Sequence, residues 1–216
     1  MARHQPGKKK KREKRLPEPS SYLIASEGKR TEVLYFDGFK DEINERFKGS
    51  IQSYEIETHG VGKETLRVIE DIVEYSRRLP ILYENIWAVF DKDDFPKDDF
   101  DNAIYKAKEL DINVAWSNEC FELWYLLHFS YSQSALHRDV ISEKLDLEFN
   151  RLKLGKYDKT SPEIYYILKP KIRTAIKNAQ RLDEQTDCSL PPSKRNPNTM
   201  VYKLASELLD ILERPQ

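Results

Sequence analysis

The stretch WAVFDKDDF, residues 87–95, decides the fold, because a run of large apolar side chains ends abruptly on carboxylates that repel one another. A continuous apolar run of this length is typical of a strand that is buried on both faces of a parallel sheet. We therefore predict a strand over residues 85–90 that brings Asp91 and Asp93 to the edge of a sheet.

The segments on either side of this stretch alternate between strand patterns and helix patterns. Three further apolar runs predict strands, and apolar residues at helical spacing, such as Leu66, Ile69 and Ile72, predict helices between them. This order favours an α/β fold with a mostly parallel sheet flanked by helices. The predicted strands cover residues 21–26, 51–59, 85–90 and 112–117, and the helices between them cover 32–47, 63–79 and 99–110.

The strand signal fades after about residue 130, and the remaining sequence indicates helices separated by polar, Pro-rich joints. We therefore predict three parts of the chain. They are a basic flexible arm over residues 1–19, an α/β core over 20–130, and a helical C-terminal part over 131–216 that packs on the core. The helices predicted in this last part cover residues 138–149, 162–183 and 199–213.

One more helix is predicted from an aromatic run at the end of the core. Phe121, Trp124, Tyr125 and Phe129 are spaced by three and four residues, which places them on one helix face. Such a face could serve as a platform on which nucleic-acid bases stack. Packing into the core is the more common use of this pattern, and we expect it here.

Composition limits the class of protein. Hydrophobic residues make up 39% of the 216-residue chain, which suits a globular domain, and no stretch approaches the roughly 20 apolar residues of a membrane span. The two cysteines, Cys120 and Cys188, provide no disulfide framework, which predicts a cytoplasmic protein. Residues 1–15 hold eight basic side chains and one acidic, a charge of +7 within a total of −1, so the remainder carries −8. A basic arm on an acidic body is typical of nucleic-acid contact, and equally of a solvated tail.

Carboxylates follow three of the predicted strands. Glu27 follows the first strand, Asp91 and Asp93 follow the third, and Glu119 and Glu122 follow the fourth. The carboxyl ends of parallel strands meet at one edge of the sheet, where acidic groups would share a crevice. Oxygen ligands there favour Mg²⁺ or Mn²⁺. The alternative is that these residues solvate loop ends and cap helices.

Three cations lie close to these carboxylates in the sequence. Lys29 and Arg30 follow Glu27 directly, and Lys63 lies in the turn after the second predicted strand. Lysine and arginine at such positions could bind the phosphates of a nucleic-acid strand. Exposed cations at helix starts are an equally good interpretation.

Several motifs carry a family resemblance. Glu27-Gly28-Lys29, followed by Asp91-x-Asp93 at a later strand end, is similar to the Toprim pattern of topoisomerase-primase domains and related nucleases. Over about residues 20–210 the chain resembles the RloB family more specifically. The motifs that carry this second resemblance are ASEGKRTEVLYFDGF, WAVFDKDDFP, SNECFELWYLLHF, KYDKT, AIKNAQ and NPNTMVYKL.

The resemblance implies a Toprim-like fold, metal-dependent cleavage of phosphodiester bonds, and a role in bacterial anti-phage defence beside an AAA/ABC-type ATPase. It implies that Glu27 is the general acid/base and that Asp91 and Asp93 bind the metal, with Glu27 and Glu122 as further metal ligands. Glu119 stands where the family pattern has proline, so we do not expect it to be a ligand. Asn198 stands where the pattern has serine or threonine, which concerns the C-terminal part.

Three functions are compatible with these observations. The first is an Mg²⁺- or Mn²⁺-dependent endonuclease that cuts RNA, with tRNA among the candidates, or DNA; related defence effectors favour RNA by analogy. The second is a non-catalytic subunit that docks on the ATPase. The third is a nucleic-acid-binding protein that acts mainly through its basic arm. No membrane partner is expected, and a homodimer is compatible with the sequence.

Overall fold

The computed structural model describes residues 20–50, 54–61, 65–80, 82–92 and 97–215 of the chain. The predicted basic arm, Lys63 and Asp93 lie outside these described residues. Within them, no helix combines the length and the apolar character that crossing a membrane requires.

A five-stranded sheet forms the centre of the molecule, in the order β2-β1-β3-β4-β5. The first four strands are parallel to one another, and β5 pairs with β4 in the antiparallel direction. The predicted α/β class and mostly parallel sheet are therefore confirmed. The strands are β1 (Ser20–Ser26), β2 (Tyr54–Gly60), β3 (Asn85–Asp91), β4 (Asn113–Asn118) and β5 (Asn198–Thr199).

Helices cover both faces of this sheet and make up most of the C-terminal part. They are α1 (Thr31–Arg46), α2 (Thr65–Arg78), α3 (Lys97–Glu109), α4 (Glu122–Leu127), α5 (Arg138–Arg151), α6 (Ile164–Leu168), α7 (Ile172–Glu184) and α8 (Val201–Glu213).

Two features of the C-terminal part differ from the sequence-based prediction. The single helix predicted over residues 162–183 is divided into α6 and α7 by a short 3-10 helix, Lys169–Lys171. Pro170 explains the break, because proline has no backbone N–H to continue an α-helical ladder. Strand β5 was not predicted, since a two-residue strand leaves no periodic pattern in the sequence.

The sheet is buried on both faces, and β1 shows how its sequence achieves this. Leu23 and Ala25 point into one hydrophobic cluster, which they share with residues of α2 and α3. Tyr22 and Ile24 point into a second and larger cluster, which includes α1, α4 and the helices of the C-terminal part. Successive side chains of a strand alternate between faces, so a strand covered on both sides needs an unbroken apolar run.

Aromatic packing attaches the C-terminal part to the larger cluster. Tyr35 of α1 is fully buried, and its ring makes edge contacts with Phe121 and Trp124 at centroid distances of 6.0 and 6.4 Å. On another side, Tyr165 of α6 lies 5.9 Å from the same ring. Phe121, Trp124 and Tyr125 are at most 1% exposed. The expected core packing of the aromatic helix is thus confirmed, and these rings cannot stack on bases.

His128 lies at the end of this aromatic helix and predicts a pH dependence of stability. It is 1% exposed, its Nδ1 lies 2.9 Å from the Trp124 carbonyl oxygen, and burial lowers its pKa to about 4. Between about pH 6.5 and pH 4 the unfolded chain binds a proton at His128 that the folded chain does not bind. The free energy of unfolding should therefore fall with pH across this window, by up to about 3 kcal/mol.

Urea unfolding of the wild type and of His128→Leu at pH 4.5, 5.5 and 7 measures this contribution. The variant should lose less stability between pH 7 and pH 4.5 than the wild type does. His137→Asn is the matched control, since His137 is exposed and caps α5, a position that asparagine also suits. Parallel pH profiles for the wild type and His128→Leu would contradict the assignment.

Candidate functional site

The candidate site lies where the chain leaves β1 and β3. From β1 the chain crosses to β2 on one side, and from β3 it crosses to β4 on the other. In open α/β sheets, ligands bind in the crevice at such a switch point, outside the carboxyl ends of the strands. Glu27 directly follows β1, and its backbone N–H donates to the Val89 carbonyl oxygen of β3 at 2.9 Å. Asp91 is the last residue of β3, so both carboxylates lie beside this crevice.

Asp91 is fixed by the neighbouring strand and helix. Its backbone pairs with Ser117 of β4, and its Oδ2 accepts the backbone N–H of Phe121 at 2.9 Å. The second carboxylate oxygen, Oδ1, is buried and has no hydrogen-bond partner among the described residues. Buried polar oxygens in native proteins nearly always have a partner, so this oxygen is a candidate ligand atom.

Several negative charges surround Asp91. Burial raises the pKa of Asp91 well above its usual range, and the charges of Glu32, Glu122 and Glu27 raise it further, whereas the Phe121 N–H opposes the shift. A carboxylate that is both buried and surrounded by like charges is unfavourable unless a proton or a cation compensates it. The four acidic residues predicted or found at this edge of the sheet therefore form one electrostatic unit.

Glu32 is a member of this unit that the sequence analysis missed. It lies in the first turn of α1 and is 6% exposed. Its side chain occupies the space beside Gly28, where an added Cβ would overlap the Glu32 carboxylate. An acidic residue in the first turn of a helix is commonly explained by its favourable interaction with the helix dipole. For this reason nothing in the sequence indicated that Glu32 lies beside Asp91.

Glu122 links the site to the C-terminal part of the chain. It begins α4, and its Oε1 lies 3.5 Å from the hydroxyl of Tyr157, which can donate to it. Burial, together with the charges of Glu122 and Asp91, raises the pKa of the neighbouring Cys120 thiol. A raised pKa disfavours the thiolate, which is the form in which a cysteine acts as a nucleophile.

These residues line a cleft of about 590 Å³. Its carboxylates Glu32, Asp91 and Glu122 are buried or half-buried and form the acidic floor, whereas the cations of the lining, most of them exposed, form the basic rim. Two of these cations, Lys29 and Arg30, were predicted from the sequence, whereas Arg138 and Lys159 come from the helical part and were not. Of the predicted site residues that the structure describes, Glu27 is the one absent from the cleft lining, although its charge acts on Asp91. Tyr157 and Thr160, from the KYDKT motif, also line the cleft.

Glu119, which was not expected to be a ligand, is not among the residues that line the cleft. Its carboxylate is 3.8 Å from Arg138 and 3.9 Å from His137, both at the start of α5. Glu119 therefore balances positive charge at the start of α5.

The fit of a metal ion to this cleft depends on both charge and geometry. Among the described residues, no three His, Cys, Asp or Glu side chains are arranged to hold a metal ion, and Asp93 falls outside them. The donor set nevertheless suits a hard cation, because it consists of carboxylate oxygens, one of them buried without a partner. Asp91, Glu122 and Glu32 supply these oxygens, but they do not form a ligand group by themselves, so holding an ion would also require Asp93 or a movement of their side chains.

Comparison with known proteins identified a family. The family model of RloB-like proteins matches residues 22–208, which is most of the chain. Neither curated proteins nor solved structures gave a significant match.

Proposed function

The chain belongs to the RloB-like protein family, and from this premise we propose that it is a metal-dependent nuclease that cuts nucleic-acid phosphodiester bonds at the cleft. The observation that carries the proposal is the surrounding of Asp91 by Glu32, Glu122 and Glu27 at the switch point of the sheet. A divalent cation bound between these carboxylates would convert their mutual repulsion into binding energy.

Each part of the site has a role in this proposal. Asp91, Glu122 and Glu32, together with Asp93 from the sequence motif, would hold Mg²⁺ or Mn²⁺, which would supply charge stabilisation to the phosphoryl oxygens. Glu27 takes or gives a proton at the attacking or leaving oxygen. Lys29 and Arg30, at the rim of the cleft, bind substrate phosphates, as does Lys63 in the sequence-based assignment.

The biological setting is part of the proposal and follows from the family resemblance. The substrate is RNA, with tRNA among the candidates, in preference to DNA. The protein acts as the effector of a bacterial anti-phage system, and an AAA/ABC-type ATPase is its partner.

A panel of substrates tests the nuclease function directly. Purified wild-type protein is incubated with total RNA, tRNA, single-stranded DNA and duplex DNA, in Mg²⁺, in Mn²⁺ or in EDTA. We expect cleavage only with metal, and Glu27→Gln should lower its rate by about 10²-fold or more, because a positioned general base contributes about that factor. Circular dichroism checks that the variant is folded. Equal cleavage by wild type and Glu27→Gln, or cleavage that persists in EDTA, would contradict the assigned site.

One observation favours the second candidate, a non-catalytic subunit that docks on the ATPase. The described residues provide no ready-made group of three metal ligands. If this candidate is correct, co-purification with an AAA/ABC-type ATPase should be retained in Glu27→Gln, and no substrate in the panel should be cut when that ATPase and ATP are added. Metal-dependent cleavage under those conditions would exclude it.

A further inference from the structure

The KYDKT segment, residues 156–160, forms an ordered loop between α5 and α6. The backbone N–H of Tyr157 donates to Asp146 Oδ1 on α5 at 2.9 Å. At the other end, the N–H and the hydroxyl of Thr160 both donate to Asp158 Oδ1, at 2.8 and 2.7 Å. Because both ends are hydrogen-bonded, the loop has a defined conformation, which fixes the position of Lys159 between them.

Lys159 lines the cleft from the helical part of the chain. It is exposed, and within the described part of the chain it forms no ion pair. The same holds for Lys29 and Arg30, which line the cleft from the loop after β1. Two separate segments therefore present cations to one cleft whose floor is acidic.

The combination of an acidic floor and a basic rim restricts the ligand. Lys29, Arg30 and Lys159 can bind phosphates at the rim with or without a metal ion, whereas the carboxylates below repel a phosphate that enters the floor unless a metal ion lies between them. A nucleic-acid backbone satisfies both requirements, since its successive phosphates can contact the rim while one phosphate approaches the metal. The cleft volume of about 590 Å³ falls within the roughly 300–1,000 Å³ of ligand sites.

We propose that Lys159 binds a backbone phosphate of the nucleic-acid substrate, so that the KYDKT loop of the helical part supplies a second phosphate-binding segment besides the Lys29–Arg30 segment. Tyr157 of the same loop, 3.5 Å from Glu122 Oε1, acts as a positioning residue for that carboxylate. The inference rests on the proposed function for the class of ligand, but it concerns binding and does not require cleavage.

The matched pair Lys159→Ala and Lys156→Ala tests this inference. Lys156 belongs to the same loop and carries the same charge, but it lies 3.8 Å from Asp146 and is absent from the cleft lining. Binding of a fluorescein-labelled 20-nucleotide single-stranded RNA, and of DNA of the same sequence, is measured by anisotropy in EDTA at several salt concentrations.

We expect Lys159→Ala to weaken binding of both probes about fivefold and to lower the slope of log K against log salt by about 0.7, the value for one contact to a single strand. Lys159→Arg should restore binding, and Lys156→Ala should leave it close to wild type. The inference is overturned by equal losses in the two alanine variants, by wild-type affinity in Lys159→Ala, by a loss confined to RNA, or by absence of wild-type binding.

These outcomes are separable from those of the nuclease panel, because metal-free binding does not depend on catalysis. If the protein binds through Lys159 but cuts nothing, the phosphate contact is supported and the proposed nuclease function is contradicted. If the wild type cuts nucleic acid and Lys159→Ala binds normally, the nuclease function is supported and only the phosphate contact at Lys159 is contradicted.

Discussion

Replacing Asp91 with asparagine is expected to lower metal-dependent cleavage by about 10³-fold or more, since a bound cation contributes several kcal/mol of charge stabilisation to the reaction. Asparagine keeps the shape of the side chain and can still accept the Phe121 N–H, which Asp91 Oδ2 accepts at 2.9 Å. What it removes is the negative charge and one anionic oxygen. A loss of activity in this variant would therefore result from the missing charge of Asp91 and not from a disrupted structure at the end of β3.

The same substitution should raise the stability of the metal-free protein. Asp91 is surrounded by the charges of Glu32, Glu122 and Glu27. Removal of its charge at neutral pH therefore relieves a repulsion that opposes folding. A gain of about 1–2 kcal/mol corresponds to about 2–6 °C in Tm for a chain of this size. Stability gained together with activity lost is characteristic of a site whose charges are arranged for a ligand.

Thermal unfolding with and without Mn²⁺ provides a second measurement that does not depend on activity. Mn²⁺ should raise the Tm of the wild type but not that of Asp91→Asn. Asp210→Asn is the control, because Asp210 is an exposed carboxylate on α8 outside the cleft lining. It should leave both the cleavage rate and the Mn²⁺ effect unchanged. A metal-free Asp91→Asn protein less stable than the wild type, or one with an undiminished Mn²⁺ effect, would remove Asp91 from the assigned site.

The sequence predicted the four parallel strands well because each of them carries its own signal. The residues that bury β1 on both faces, Leu23 and Ala25 on one and Tyr22 and Ile24 on the other, are consecutive, so the strand and its double burial can be inferred locally. Strand β5 carries no such signal. Its two residues pair with β4 only because distant parts of the chain come together, and Ser117 and Thr199, whose hydroxyls lie 2.9 Å apart, are separated by 82 positions.

The candidate site divides along the same line. Glu27, Asp91 and Glu122 follow strand ends and could be assigned from their order in the sequence, and the structure brings their charges together. The approach of Glu32 to Asp91 depends on how α1 starts, and Lys159 reaches the cleft only through the docking of the helical part. Neither fact is encoded in local spacing, because tertiary packing determines which side chains of a helix or a loop meet a distant strand.

That docking leads to a second large effect, on stability: Gly38→Ala is expected to destabilise the protein by about 2–3 kcal/mol. Gly38 is buried in α1, and an added Cβ would overlap the ring of Tyr165 on α6. Tyr165 has no exposed surface, its ring lies 4.7 Å from that of Phe39, and its hydroxyl donates to Glu42 at 2.6 Å, so it cannot move aside without losing contacts. The overlap should outweigh the roughly 1 kcal/mol by which alanine favours a helix over glycine.

Thermal unfolding should show a fall in Tm of about 5–10 °C for Gly38→Ala. Asn44→Ala is the control, since Asn44 is an exposed position on the same helix and should have little effect. The cause is tested in a Tyr165→Ala background, where Gly38→Ala should lose most of its effect, because the overlapping ring is gone. An unchanged effect in that background would contradict the packing of α6 against α1.

Since the KYDKT loop directly precedes α6, this contact also fixes where Lys159 stands relative to the acidic floor. Gly38→Ala should therefore weaken metal-free nucleic-acid binding even at temperatures where the variant remains folded.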